Sequence, residues 1–141
     1  MRKISIIAVT ALGPALLALS LLVGCAGPTG ETTAEGAAVV EKISAETAHE
    51  VMASNEVAVL DVRTPEEYAG GHVPGAQLLT LDTISAETAA AVVPDKEEPV
   101  LVYCRSGVRS AEAARKLAAL GYRQIYDFGG IIDWPYETVT N

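Results

Sequence analysis

Four apolar residues, Val100-Leu101-Val102-Tyr103, run without a break into Cys104, and the segment Cys104-Arg105-Ser106-Gly107-Val108-Arg109 then passes directly into a helical pattern. A buried strand that ends on a thiol, a short glycine-containing loop and a helix start leave little freedom of architecture. In the helix that follows, Ala111, Ala114, Leu117 and Ala118 share a face, Glu112 stands four residues before Lys116, and Gly121 occupies the place of a left-handed C-terminal cap.

The rest of the chain repeats this alternation. Ser44 is expected to cap a helix running to about Ala53, with Ala48, Val51 and Met52 on one side. Val57-Ala58-Val59-Leu60 reads as a buried strand leading to Asp61-Val62-Arg63, and Thr64-Pro65-Glu66-Glu67 as a capping box with proline at the first helical position. Gly70-Gly71 must end that helix early. A second apolar piece spans Gln77 to Leu81, and the Ser85 helix should stop before Pro94. The sextet Ile-Ser-Ala-Glu-Thr-Ala occurs at both 43–48 and 84–89, the same helix start used twice. Gln124 to Phe128 is the last strand, after which Gly129-Gly130 turns the chain. Strands alternating with helices imply an α/β domain, a parallel sheet covered on both faces, with ligands at the carboxyl ends of its strands.

The amino-terminal segment has another character. Arg2 and Lys3 precede an uncharged run from Ile4 to Val23, which closes on Leu22-Val23-Gly24-Cys25. A cationic start, an apolar stretch and small residues at its end are the layout of a secretory signal; a transmembrane anchor is the alternative. The last four residues resemble the bacterial lipobox, in which the cysteine receives a diacylglyceryl thioether and becomes the new amino terminus. The resemblance implies a signal peptide over residues 1–24 and a lipidated Cys25; the Gly, Pro, Thr, Glu and Ala that follow without an apolar period read as a flexible tether, so that Cys25 and the tether occupy 25–39 and the folded domain 40–141. The implied location is a bacterial cell envelope, with the domain outside the cytoplasm.

Composition narrows the function. The 141 residues include 18 acidic and 10 basic side chains, for a formal charge of −8. Such a balance disfavours nucleic acid as a partner. Two cysteines and two histidines are too few for a structural zinc site, and no metal is expected.

Cys104 is the candidate nucleophile. A loop entering a helix N-terminus aims backbone N–H groups inward, and Arg105 and Arg109 add positive charge. Each effect favours thiolate over thiol. The alternative is a buried, inert cysteine.

Asp61-Val62-Arg63, Gly71-His72-Val73-Pro74-Gly75-Ala76, Tyr103 to Ser110, and Gly121-Tyr122 through Gly129-Gly130 to Trp134 resemble a single-domain rhodanese, in order and spacing, over about Val40 to Glu137. The resemblance implies the rhodanese-like fold and a sulfurtransferase. In that family a cysteine takes sulfane sulfur from thiosulfate or a similar donor as a persulfide and passes it to cyanide or a thiol. Cys104 matches the sulfur carrier. Arg105, Ser106, Gly107, Val108 and Arg109 match the cradle, with Arg109 at its closing cationic position. Asp61 and Arg63 match a supporting pair expected to tie the neighbouring strand end to the active loop. Four residues separate Cys104 from Arg109, against five in the related cysteine phosphatases and arsenate reductases, which favours a sulfur atom over a tetrahedral oxyanion. No cofactor is implied, since the covalent persulfide carries the group, and a monomer is expected. A catalytically silent binding module and a cysteine phosphatase are the competing readings. His72 is read as loop-shaping, with a general-base role as its alternative, His49 as exposed, and Trp134 as either lining the site mouth or packing.

Overall fold

The structure, a computed structural model, describes residues 36–54 and 56–140. The expected signal peptide over 1–24 and Cys25 lie outside these residues. Five strands form one parallel sheet: β1 Val39–Lys42, β2 Ala58–Asp61, β3 Gln77–Leu78, β4 Val100–Cys104 and β5 Gln124–Gly130, in the order β1-β5-β4-β2-β3. The helices are α1 Ala45–Ser54, α2 Pro65–Ala69, α3 Ala86–Val92 and α4 Val108–Ala119.

β4 is central and every one of its residues is buried. Side chains alternate across a strand, so β4 feeds two cores. Val100, Val102 and Cys104 pack with Leu60, Val62, Ala113, Ala114 and Leu117 on the α3/α4 face. Leu101 and Tyr103 pack with Val59, Ala45, Ala48, Phe128 and Trp134 on the other. This parity puts the thiol under α4 and the phenol of its neighbour on the opposite face.

The helix starts follow the side-chain chemistry of their caps. Ser44 Oγ accepts the Thr47 N–H at 3.1 Å and Ser85 Oγ accepts that of Thr88 at 3.2 Å, so the repeated sextet is one capping solution used twice. Thr64 and Glu67 close the capping box of α2. At the end of α4, Gly121 adopts φ +95°, and the N–H groups of Gly121 and Tyr122 return to Ala118 and Leu117. This is a Schellman closure, which needs the left-handed residue.

Four elements depart from the sequence-based expectation. β1 is an additional strand, paired in parallel with β5 from Val39 opposite Gln124; all four of its residues are exposed at the sheet edge, so it carries no burial pattern. The piece at 77–81 contributes only a two-residue strand, followed by a 3-10 turn over Leu81–Thr83. The buried residues of α4 are Ser110, Ala113, Ala114 and Leu117, with Ala118 packed half-buried against the same core; Ser110 and Ala113 join the expected face and Ala111 stands outside the core cluster. Gly129 and Gly130 continue β5 instead of ending it, and Gly130 stands in register with Cys104 across a bulge in β5, where Phe128 and Gly129 together oppose Tyr103.

Candidate active site

Cys104 is the last residue of β4 and is 1% exposed. The chain then curls through Arg105 and Ser106 to Gly107, the N-cap of α4, at φ +95°. That left-handed conformation is open to glycine and strained for most other residues. The curl turns the Gly107 N–H onto Cys104 Sγ at 3.0 Å. Ser110 Oγ lies 3.8 Å from Sγ and 3.1 Å from Gly107 O, so its single hydroxyl proton can turn to either acceptor. Burial pushes the thiol up. The N–H groups of Ser110, Ser106 and Gly107 and the Ser110 hydroxyl outweigh it and bring Cys104 below the ordinary thiol value.

β5 supports the loop through its glycines. Asp127 Oδ1 accepts the Gly129 N–H at 2.9 Å, and Gly129 has φ +86°. A Cβ on Gly130 would stand 2.7 Å from Ser106 Cα and overlap the Arg105 carbonyl oxygen. The strand backbone therefore forms the platform on which the loop rests.

A buried network lies on the other face. Asp61 takes Arg63 in a bidentate pair, with Arg63 Nη2 at 2.6 Å from Asp61 Oδ2. Arg63 also donates to Gly71 O at 2.7 Å. Tyr103 OH donates to Asp61 Oδ2 at 2.6 Å and accepts the Val73 N–H at 3.1 Å. Burial first, then the Asp61 carboxylate, push the Tyr103 phenol up and keep it a donor. Asp61 and Arg63 were expected to reach the active loop itself. Their described contacts instead reach it through Tyr103, the residue before Cys104, and fix the Gly71–Ala76 segment. Removing one partner leaves a buried, unpaired charge, so Asp61→Ala is expected to lower unfolding stability by about 3–5 kcal/mol in denaturant titration. A loss under about 1 kcal/mol would mean that the network is energetically idle.

Arg109, the second residue of α4, does not face the loop unpaired. Its guanidinium takes Glu67 bidentately, Nη1 to Oε2 at 2.7 Å and Nη2 to Oε1 at 2.8 Å. Glu67 Oε2 also accepts the Thr64 N–H at 3.0 Å, so the capping box of α2 aims the carboxylate. Arg105, Ser106 and Val108 are exposed, Val108 at 75%.

Three contributors were missing from the sequence-based site: Glu67, Ser110 and Tyr103. The capping box marked Glu67, but only as a helix start. Its partner is 42 residues away in sequence, as Asp61 is from Tyr103.

His72 is buried. Its ring stacks on Tyr68 at 3.7 Å, its Nδ1 lies 2.9 Å from Tyr68 O, and its backbone bridges Val139. His49 is exposed but stacks on Tyr136 at 3.8 Å. Trp134 packs against Phe128 in the core layer on the other face of the sheet from Cys104, and with His49, Met52, Val73 and Pro74 it lines a cleft of about 280 Å³.

Comparison with known proteins agrees with the fold. Residues 44–135 match the rhodanese-like domain model. The thiosulfate sulfurtransferase PspE of Escherichia coli is 40% identical over 74 residues, 52% of this chain and 70% of that protein. A sulfurtransferase of Allochromatium vinosum is 37% identical over 98 residues, 68% of this chain and 89% of its own. Among solved structures, a rhodanese from E. coli determined with anions superposes with a TM-score of 0.56 at 37% identity, covering 60% of this chain and 98% of that one. A rhodanese-like domain protein from Staphylococcus aureus superposes with a TM-score of 0.61 at 30% identity, covering 72% and 98%. The chain belongs to the rhodanese-like domain family.

Proposed function

We propose that this protein is a lipid-anchored, extracytoplasmic sulfurtransferase that moves sulfane sulfur from thiosulfate or a similar donor to cyanide or a thiol through a Cys104 persulfide. The observation that carries the reading is the Gly107 N–H 3.0 Å from Cys104 Sγ, in a loop that lowers the thiol pKa.

The Cys104 thiolate attacks the outer sulfur of thiosulfate. A Cys104–sulfur bond forms, the original sulfur–sulfur bond breaks, and its electron pair leaves with sulfite. The anionic persulfide is held by the same N–H groups, with no metal or organic group required. Cyanide or a thiolate then attacks the terminal sulfur, thiocyanate or a new persulfide departs, and the thiolate returns. Family relatives named thiosulfate sulfurtransferases support this reaction class. Purified protein mixed with thiosulfate and cyanide should release thiocyanate and sulfite in equal amounts; release of neither would reject the reading.

The lipobox ending at Cys25 supports anchoring and an outward-facing domain. The two cysteines then have separate roles, lipid attachment at Cys25 and sulfur carriage at Cys104. In cells, Cys25→Ser should abolish incorporation of labelled fatty acid and shift the protein out of the membrane fraction. Unchanged labelling and membrane association would reject the anchor.

A further inference from the structure

The sheet face turned away from Cys104 carries a groove that the sulfur chemistry does not use. One part, of about 280 Å³, is lined by the rings of His49, Trp134 and Tyr136 and by Val73, with Glu137 as its acidic residue. Met52 and Pro74 line this part and also a second one of about 470 Å³, which adds Val57, Val59, Glu56 and Glu98. The two parts therefore join at an apolar middle, and each outer part carries a carboxylate. Among the described residues no lysine or arginine lines either part, and no ion pair engages Glu56, Glu98 or Glu137.

The ring end is already ordered. His49 lies flat on Tyr136 with 3.8 Å between centroids, and Trp134 meets Tyr136 edge-on at 5.0 Å. The Trp134 indole N–H donates to Glu137 O at 3.2 Å, and Phe128 packs against the indole at 5.5 Å. The Val73 N–H is held by the Tyr103 hydroxyl at 3.1 Å. Walls fixed in advance lower the ordering cost of binding. Aromatic faces and carboxylates both attract cations, and a chain of formal charge −8 repels anions. An apolar stretch between two acidic ends matches a ligand with a methylene stem between two ammonium groups.

We propose that this groove binds a linear di- or polyamine. The stem crosses Met52 and Pro74, one ammonium meets the rings and Glu137, and another meets Glu56 and Glu98. A monoamine leaves one acidic end unmatched. The site is separate from Cys104 and does not rest on the sulfurtransferase reading.

Trp134 is the only tryptophan of the chain, so its fluorescence reports on the groove directly. Full-length protein titrated with spermidine at low salt should show a saturable change with a Kd of about 1 mM or below. Equilibrium dialysis with labelled spermidine should find a single molecule held per chain. Butylamine should bind about threefold or more weakly than putrescine, and the uncharged butanediol should not bind. Glu137→Gln and Glu98→Gln, both surface changes, should each weaken spermidine about two- to fivefold, with the differences shrinking as salt is added. Tyr136→Leu should weaken it by a similar factor. Neither a saturable fluorescence change nor retention in dialysis would overturn the assignment. So would an affinity in the Glu98→Gln/Glu137→Gln double variant within about 1.5-fold of wild type. Magnesium at equal ionic strength reproducing the change would reduce it to general screening and reject the site. A lysine-rich peptide binding more tightly than spermidine would give the groove to a protein partner and equally reject it.

Discussion

Cys104→Ser is expected to abolish sulfur transfer, with turnover falling about 10³-fold or more, while the domain stays folded. The hydroxyl is smaller than the thiol it replaces, so it enters without a clash and keeps the Gly107 N–H and Ser110 as neighbours. It cannot do the chemistry, because a serine hydroxyl stays protonated at neutral pH and forms no persulfide. The pH dependence of the wild-type enzyme gives the same account a finer test. The cradle lowers the Cys104 thiol, so activity should rise with pH through a midpoint below the ordinary thiol value. Ser110→Ala removes one of the groups that lower it and should move that midpoint upward. A thiocyanate assay across pH, with circular dichroism to confirm folding, measures both. Residual turnover in Cys104→Ser near the wild-type level would place the nucleophile elsewhere.

The second large effect is expected far from the thiol in sequence. Gly130→Ala adds one methyl group, and that methyl would occupy the space of the Arg105 carbonyl and crowd Ser106 Cα at 2.7 Å. Both neighbours are backbone, so no rotamer change relieves the overlap and the loop itself must lift. A displacement approaching 1 Å in a catalytic loop costs about 10²-fold in rate. The N–H groups of Ser106 and Gly107 would lose their aim on the sulfur, and the Cys104 thiol should titrate higher. Steady-state kinetics with thiosulfate, together with the pH dependence of Cys104 alkylation, separates this from simple destabilisation. Overpacking alone would lower stability by about 1–3 kcal/mol and leave the titration where it was. Wild-type kinetics in Gly130→Ala would show that the loop tolerates movement.

These effects divide along the line of what the sequence makes legible. β2, β4 and α4 were readable because burial on both sides of a central parallel strand imposes unbroken apolar runs, and because Thr64, Ser85 and Gly121 are local cap signals. β1 was not, since an exposed edge strand is held by backbone pairing to β5 and leaves no apolar pattern. Cys104 and its loop were visible as a strand–loop–helix junction. The partners that tune them were not. Glu67 looks like a helix cap and Ser110 like a polar helical residue, and Gly129-Gly130 looks like a turn. Their contacts with the loop depend on three-dimensional registers, such as Cys104 opposite Gly130, that no local pattern records. The consequence for Arg109 is the sharpest: sequence counts it as a free cation of the cradle, and the fold gives it to Glu67.

The central claim is that Cys104 carries sulfur. The most direct measurement is peptide-resolved mass spectrometry of protein treated with thiosulfate, before and after cyanide. The account predicts that the Cys104 peptide gains the mass of one sulfur atom and loses it on cyanide treatment as thiocyanate appears. A Cys104 peptide that stays unmodified with thiosulfate and with polysulfide, in protein shown to be folded, would contradict it.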